Sequence, residues 1–445
     1  MTTDALGLAL TGADADASRH FDAMLRELQT YTGDPVATLM QSLEASPGFA
    51  LGHVTLGWLC LTGTDTDSLQ AARAALATAA PLVEGATPRV QGHFQAARQW
   101  SEGRWREAAR TLEDLTIAEP RDVLALQMGH LLDFFTGDAR MLRDRIARAL
   151  PAWTDGMPGF HALLGMHAFG LEESGEYEAA EAAGRRAVAG DRRDTWSWHA
   201  VGHVLEMQGR VEDGIAWWTS DGPAWAEDSF FAVHNWWHLA LMHLERDEID
   251  RVLALFDGPL FGEGKTVPLD LVDASAMLWR LDLAGVDVGD RWARVAEAWA
   301  PRAGDGWYAF NDVHAGLAFA CAGRGDLLLA LHGAHAKAVE GGGDNAGFTA
   351  DIGAPLLASL LALREGDHAR AASGLRQVRP IAHHFGGSHA QRDLIDLSLV
   401  EAAIRGGDAA LASAMASERA ARRPSRASTA TLLRRAVGKP AASVA

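Results

Sequence analysis

Turn-forming glycines recur along this chain, mostly at intervals that fit a helix–turn–helix unit. They are Gly63, Gly103, Gly137, Gly175, Gly209, Gly323, Gly366 and Gly407. Between them Ala, Leu, Glu and Arg dominate with a 3.6-residue period, and the alternation typical of strands is rare. Gly175 and Gly209 are 34 residues apart, a period typical of stacked helix–turn–helix units. Because one such unit cannot bury its apolar face alone, the pattern predicts an all-α array of stacked units.

One unit shows the repeat in detail. Trp198, Val201, Gly202 and Leu205 stand at the spacing W-x-x-L-G-x-x-Y of a tetratricopeptide repeat, and GRVEDG follows from Gly209 as the turn into a second helix. Small residues at a helix crossing let the two helices approach closely. The fold class that we predict is an α-α superhelical solenoid of tetratricopeptide-like repeats, with loops over its concave groove.

The repeat pattern covers most of the chain. We therefore expect residues 1–445 to form a single solenoid, with 1–20 poorly ordered and 386–435 as C-terminal capping helices. Residues 219–233, 256–269 and 300–311 carry Pro, Gly and Trp clusters that are too long for tight repeat turns. We interpret them as ordered loops near the groove.

Charge and cysteine content limit the class of function. The formal net charge is −18, which disfavours nucleic acid and anionic membranes as partners. The two cysteines, Cys60 and Cys321, form no C-x-x-C motif, so no disulfide framework or zinc ribbon is expected. The N-terminal residues lack the pattern of a signal peptide, and no apolar run reaches membrane-spanning length. These features predict a soluble, cytoplasmic protein.

Histidines and carboxylates follow two helices at helical spacing. His199, His203 and Glu206 lie within roughly 60° of one another on a helix. The second set, His234, His238 and Glu245, also lies within such an arc of its helix. Numbered from Trp198 as the fourth position, the first set occupies positions that face the ligand in tetratricopeptide folds. We therefore expect His199, His203 and Glu206 to share a face with His238.

Three interpretations of these residues stay open. The histidines pack and hydrogen-bond structurally, line a groove for a peptide or small molecule, or form a metal or catalytic site. An H-x-x-x-H pair with a further His or carboxylate is a valid zinc geometry, although it is less specific than H-E-x-x-H. The candidate metal ligands are His199, His203 and His238. The candidate catalytic residues are His199, His203, His234, His238, Glu206 and Glu245.

Further residues are candidates for the same ligand site. Asn235 and Trp237 lie on the second histidine helix, and Asn311, Asp312 and His314 follow Phe310 on a later one. Asn311 and His314 share a helical face, although a helix N-cap by Asn311 or Asp312 is an equal alternative.

The sequence also predicts that a helix begins near residue 388. Ser388 and Gln391 have the spacing of a capping box. Arg392 is either an anion clamp or half of a structural Arg–Asp pair. His243 lies on the opposite side of its helix from His234, which indicates a core or interface role.

Tryptophans flank the histidine helices. We expect most of them to be at least half buried and to wall one pocket, because long loops inside a compact fold usually cover something. They are Trp196, Trp217, Trp218, Trp225, Trp236, Trp237 and Trp307.

Several segments together resemble the tetratricopeptide repeat protein 38 family, in family order over most of the chain. They are GDP from Gly33, HAVGHVLEM from His199, VHNWWHLAL from Val233, DLVDASAMLWRL from Asp270, GVDVGDRW from Gly285, FNDVHAG from Phe310, DIGAPL from Asp351 and GGSHAQRD from Gly386. The resemblance implies an all-helical repeat fold and supplies no reaction.

Three functions follow as hypotheses. The first is a binding protein whose groove, lined by His, Trp and Glu, holds a small molecule or short peptide. The second is a hydrolase- or lyase-type enzyme that uses the same groove, with or without a metal. The third is a passive protein–protein scaffold. No nucleotide cofactor is expected because no phosphate loop or dinucleotide fingerprint is present. A labile divalent metal and a homo-oligomer both stay open.

Overall fold

The computed structural model describes residues 2–262, 264–423 and 427–437. Over these ranges the chain is helical and contains no β-strand, only isolated bridges between Thr3 and Ala9 and between Thr32 and Ser229. The helices follow in chain order with short connections. The predicted all-α fold class is confirmed.

The first helices are α1 (Ala15–Thr30), α2 (Pro35–Ala45), α3 (Ala50–Leu61), α4 (Thr66–Val83), α5 (Pro88–Ser101), α6 (Trp105–Ala118), α7 (Val123–Phe135), α8 (Ala139–Ala149), α9 (Phe160–Glu173), α10 (Tyr177–Gly190), α11 (Thr195–Met207), α12 (Val211–Ser220) and α13 (Gly222–Ala226). They are followed by α14 (Ala232–Glu245), α15 (Ile249–Leu255), α16 (Pro268–Leu283), α17 (Arg291–Trp299), α18 (Ala309–Cys321), α19 (Gly325–Gly341), α20 (Asp344–Gly347), α21 (Ala354–Arg364), α22 (His368–Val378), α23 (His389–Arg405), α24 (Ala409–Arg422) and α25 (Ala427–Ala436).

The chain groups into two compact units. Unit 1 is Met1–Val201 with Asp221–Ala232, and unit 2 is Gly202–Ser220 with Val233–Ala445. The boundary falls inside α11, between Val201 and Gly202. The sequence alone predicted one continuous solenoid.

Helices that are consecutive in the chain pack as pairs in each unit. In unit 1 the pairs are α1–α2, α3–α4, α5–α6, α7–α8 and α9–α10. In unit 2, α16–α17, α18–α19, α21–α22, α23–α24 and α24–α25 pack in the same way. This is the arrangement of an α-α solenoid, in which each pair buries its apolar face against its neighbours.

Short polar side chains begin many of these helices. Asp14, Asp65, Asp122 and Asp138 each accept a hydrogen bond from a backbone amide in the first turn of the helix that follows. Such a cap satisfies an amide that has no partner inside the helix. At the start of α23 the capping box of Ser388 and Gln391 is present, as predicted.

The first residues that the structure describes have defined contacts. Residues 1–20 were expected to be poorly ordered, whereas Asp4 accepts hydrogen bonds from the amides of Leu6 and Leu8 and Ser18 donates one to the Thr3 carbonyl. The predicted C-terminal capping region contains α23, α24 and α25. Among the described residues, one segment, Asp344–Arg364, is long and apolar enough to cross a membrane, and 56% of its most apolar 18-residue window is buried inside the fold.

A glycine makes one buried ion pair of unit 1 sterically feasible. A Cβ atom at Gly129 in α7 would lie 2.7 Å from Cζ and Nε of Arg145 in α8. The Arg145 guanidinium donates to both carboxylate oxygens of Asp133, at 2.7 and 2.8 Å, and to the Ala109 carbonyl at 3.1 Å. Since Arg145 is fully buried, these contacts leave it no room to move aside.

We predict that Gly129→Ala lowers the free energy of unfolding by about 3 kcal/mol, because the new methyl group displaces a buried, paired charge. The measurement is urea unfolding followed by helical circular dichroism. Gly92→Ala is the matched control, because a Cβ there meets Leu115 at an ordinary 3.5 Å. It should raise stability by about 0.5–1 kcal/mol. Equal stabilities for the two variants would contradict the steric argument.

Candidate metal and ligand site

Two histidines of α14 face each other in the interior of unit 2. His234 and His238 are separated by one helical turn, and both are buried. Their Nε2 atoms lie 3.3 Å apart. On the far side of each ring, Nδ1 of His238 lies 2.8 Å from Oε2 of Glu206, and Nδ1 of His234 lies 2.8 Å from Oδ2 of Asp273. Each imidazole therefore stands between a carboxylate and the other imidazole.

The carboxylates determine which ring nitrogen carries the proton. An ionised carboxylate only accepts hydrogen bonds, so each Nδ1 donates and each Nε2 presents a lone pair. Two lone pairs at 3.3 Å repel unless a positive centre lies between them. In a tetrahedral zinc site with Zn–N bonds of about 2.0–2.1 Å, two ligand nitrogens are about 3.3–3.4 Å apart. The observed separation matches that of two metal ligands, and it is also the length of a hydrogen bond between the rings when one of them carries a second proton.

A third imidazole approaches the same place from α11. The ring centroids of His203 and His238 are 4.4 Å apart. One ring nitrogen from each of His203, His234 and His238 lies within 4.8 Å of the others. Glu206 lies one turn after His203 on α11, so this helix supplies both an imidazole and the carboxylate that orients His238.

Tryptophan rings pack against His234 and His238. Trp237 stacks on His234 with centroids 5.4 Å apart and meets the edge of His238 at 4.9 Å. Trp218 of α12 lies parallel to His238 at 6.4 Å. It reaches this position because Gly202 has no side chain, since a Cβ there would lie 2.1 Å from Cζ2 of Trp218. The glycine expected from the repeat pattern therefore helps to shape the site.

Burial controls the electrostatics of this site. It lowers the pKa of His238 to about 3, assisted by the nearby His203 and opposed by the Glu206 carboxylate. His238 is therefore neutral at pH 7, which is the form that binds metals. One turn before Asp273, burial raises the pKa of Asp270 to about 7, against the opposing charge of Lys265 at 3.9 Å.

Glu206 also faces a group of buried charges near the C-terminus. Its Oε1 lies 3.8 Å from Nη1 of Arg423. The Arg423 side chain also donates to the His389 carbonyl at 3.2 Å and lies 3.5 Å from the Asp393 carboxylate. These contacts place the carboxylate that orients His238 next to cationic and anionic side chains of α23 and α24.

His199 belongs to unit 1 and lies one helical turn before His203 on α11. Its ring stacks on Phe169 with centroids 5.3 Å apart, contacts Trp196 at 4.8 Å and meets Phe231 edge-on at 5.1 Å. Tyr31 extends this aromatic cluster by stacking on Trp196 at 5.4 Å. Unit 1 thus holds His199 in an aromatic enclosure.

The remaining candidates lie elsewhere in unit 2. Glu245 accepts hydrogen bonds from the hydroxyl and amide of Ser428, and Asn235 is buried on α14.

The candidates on α18, namely Asn311, Asp312 and His314, are also buried. Asp312 lies 3.6 Å from Nε2 of His335, and Nδ1 of His314 lies 2.8 Å from the Phe310 carbonyl. Arg392 donates to the Gly387 carbonyl. His243 pairs with Glu248 through Nδ1 at 2.6 Å.

The tryptophans are buried as expected. Trp196, Trp218, Trp225 and Trp237 are almost completely buried, and Trp217, Trp236 and Trp307 are partly buried. They are divided between the two units, with Trp196 and Trp225 in unit 1. The burial part of the prediction is confirmed.

Asp273 and Arg423 are not among the site residues predicted from the sequence. Asp273 lies among apolar residues in the middle of α16, and it is fully buried. A carboxylate at such a position requires a partner, which was the available signal. Its partner His234 is 39 residues away in sequence, so spacing along one helix could not identify the pair.

Comparison with known protein families gives no assignment. No family model matches the chain.

A buried histidine of unit 1 gives a test of the electrostatics. His130 of α7 lies edge-on to Phe169 at 5.9 Å and to Trp196 at 5.7 Å. Burial, assisted by the charge of Arg145, lowers its pKa to about 3. Because the unfolded chain takes up this proton near pH 6.5 and the folded chain does not, stability is lost as pH falls from about 6.5 towards 3.

Because of His130, the wild type should lose about 2 kcal/mol of unfolding free energy between pH 7 and pH 5, since one pKa unit corresponds to about 1.4 kcal/mol. We predict that His130→Leu abolishes this part of the loss. Urea unfolding at the two pH values measures this difference. Phe134→Leu, on the same helix and also beside Phe169, is the control that changes packing without removing a titrating group. An unchanged pH dependence in His130→Leu would show that His130 is protonated in the folded protein.

Proposed function

We propose that the protein binds a divalent transition metal of the zinc class through His203, His234 and His238. One observation carries the proposal: two imidazoles that are each backed by a carboxylate direct their Nε2 atoms at each other across 3.3 Å. Metal-binding histidines commonly donate their other ring N–H to a carboxylate, which fixes the tautomer and increases the basicity of the ligand.

The ligand set favours a reactive or exchangeable metal. Structural zinc sites are closed by four protein ligands, usually including Cys, whereas catalytic sites keep a position for water or substrate. Here three imidazoles leave one position open in a tetrahedral site. A bound zinc would lower the pKa of a coordinated water. We therefore propose a metal-dependent enzyme of the hydrolase or lyase type that acts on a small molecule.

Binding of a small molecule or short peptide without chemistry is the second candidate function. The aromatic enclosure around His199 in unit 1 favours it, because aromatic walls with one polar group are typical of ligand sites. No specific contact favours a passive scaffold. We further propose that the chain is related to the tetratricopeptide repeat protein 38 family, acts in the cytoplasm and does not bind nucleic acid.

Metal analysis of the purified chain tests the proposal. We expect about one equivalent of zinc or a similar metal per chain after reconstitution, and its loss in His238→Ala. His243→Ala is the matched control, because His243 lies on the same helix and pairs with Glu248 instead. Equal metal content in the two variants, or no metal in the wild type, would contradict the proposal.

We also predict that Asp273→Asn weakens metal affinity by about 10- to 100-fold, because the amide cannot replace the carboxylate that orients His234. Competition with a chromogenic chelator measures the affinity. Asp282→Asn on the same helix is the control, since Asp282 accepts from Trp292 rather than from a histidine.

We also expect that removal of metal by a chelator leaves the helicity and the thermal midpoint nearly unchanged, because helix stacking stabilises the fold. Unfolding by chelator alone would show that the metal is structural.

A further inference from the structure

A second carboxylate of α16 lies close to the one that holds His234. Asp270 stands one helical turn before Asp273, and side chains at this spacing share one face of a helix. Asp273 accepts from Nδ1 of His234 through Oδ2, and its Oδ1 is buried without a hydrogen-bond donor among the described residues. Two buried carboxylates therefore lie on the side of α16 that contacts His234.

The surroundings of Asp270 do little to stabilise a negative charge. Its cationic neighbour is Lys265, whose Nζ lies 3.9 Å from Oδ2, beyond the length of a hydrogen bond. Within the part of the chain that the structure describes, no hydrogen-bond donor reaches the Asp270 carboxylate. Because a buried carboxylate without donors favours its neutral form, burial raises the pKa of Asp270 to about 7.

Groups on three elements act on the charge of Asp270. Besides burial, which is the largest influence, Lys265 in the loop before α16 and His234 on α14 favour the ionised form, and Asp273 on α16 opposes it. A divalent cation at His234 would add two positive charges to this balance and would favour the ionised form.

Asp270 is also the carboxylate of this pair that reaches water. Its side chain keeps 11% of its surface exposed, whereas that of Asp273 is completely buried. A proton can therefore leave from Asp270 to the solvent, and Asp273 has no such route.

We propose that Asp270 exchanges a proton with solvent as the histidine site is occupied and emptied, an inference that rests on the metal site proposed above. In the empty site Asp270 carries the proton on a carboxylate oxygen. When a divalent cation is bound by His203, His234 and His238, the O–H bond of Asp270 breaks, the carboxylate keeps the electron pair and the proton passes to water.

The direction of the pH dependence follows from this exchange. Below pH 7 the cation must displace the proton of Asp270, whereas above pH 7 the carboxylate is already ionised and attracts the cation. Binding is therefore tighter on the alkaline side. A group that changes its protonation near neutral pH can also accept or deliver a proton in the proposed reaction.

Calorimetric titration of the full chain with zinc at pH 7 counts the protons released, when it is repeated in two buffers of different ionisation enthalpy. We expect the wild type to release about 0.4 proton more than Asp270→Asn, because about half of the Asp270 side chains are protonated at a pH equal to their pKa. Asp282→Asn is the matched control, since it removes a carboxylate whose pKa burial also raises, roughly 18 Å further along the same helix. It should release as many protons as the wild type.

Competition with a chromogenic chelator at pH 6 and pH 8 measures the pH dependence directly. Wild type and variant are compared at the same pH, so the protonation of the chelator cancels. The wild type should bind zinc at least about fivefold more tightly than Asp270→Asn at pH 8, and less than about twofold more tightly at pH 6. Lys265→Met removes a charge that favours the ionised form, so the pH at which zinc binding tightens should move upward.

The outcomes separate this inference from the metal site itself. Zinc binding with the same proton release and the same pH dependence in wild type and Asp270→Asn would overturn the role of Asp270 and leave the metal site standing. No zinc binding by the wild type would contradict both. Asparagine has the shape of a protonated aspartate, so Asp270→Asn is expected to fold. If it does not, Lys265→Met, at a partly exposed position, decides, and an unshifted pH profile there would overturn the inference.

Discussion

This structure depends on close approach between helix backbones and side chains. At several positions the approach is so close that a Cβ atom would not fit. At Gly129 in unit 1 the missing side chain makes room for a buried guanidinium group, and at Gly202 in unit 2 it makes room for a tryptophan ring. The same kind of close contact occurs at Gly170, where a Cβ would lie 2.4 Å from the Leu142 carbonyl oxygen. Glycine weakens an isolated helix by up to about 1 kcal/mol, so tertiary packing must compensate at each such position.

The polar interior of each unit follows from this close packing. Arg145 and Asp133 in unit 1, and the histidines with Glu206 and Asp273 in unit 2, are groups that water would otherwise solvate. Burial of an ionised group is costly unless hydrogen bonds and opposite charges surround it. The geometry of unit 2 meets this requirement with carboxylate–imidazole pairs. Such pairs hold each ring in one orientation, which both a metal site and a specific core need.

Local features could be predicted from the sequence, and distant pairings could not. The capping box of Ser388 and Gln391 depends on four consecutive residues, and the structure contains it. The pairing of His238 with Glu206, on different helices, follows from the stacking of neighbouring repeats. Helical spacing also grouped Glu245 with His234 and His238, yet Asp273 on α16 contacts His234 and Ser428 contacts Glu245. These contacts depend on which helices become neighbours, and no periodicity within one helix contains that information.

The contact between Gly202 and Trp218 has a consequence for inheritance. Because the indole ring occupies the volume that any larger residue at position 202 would need, a change at either position alone is damaging: it creates a clash or leaves a void. The two positions are therefore expected to change together in evolution. Among descendants of a common ancestor, a smaller ring at position 218 should accompany each larger residue at position 202. Lineages that keep the tryptophan should keep the glycine.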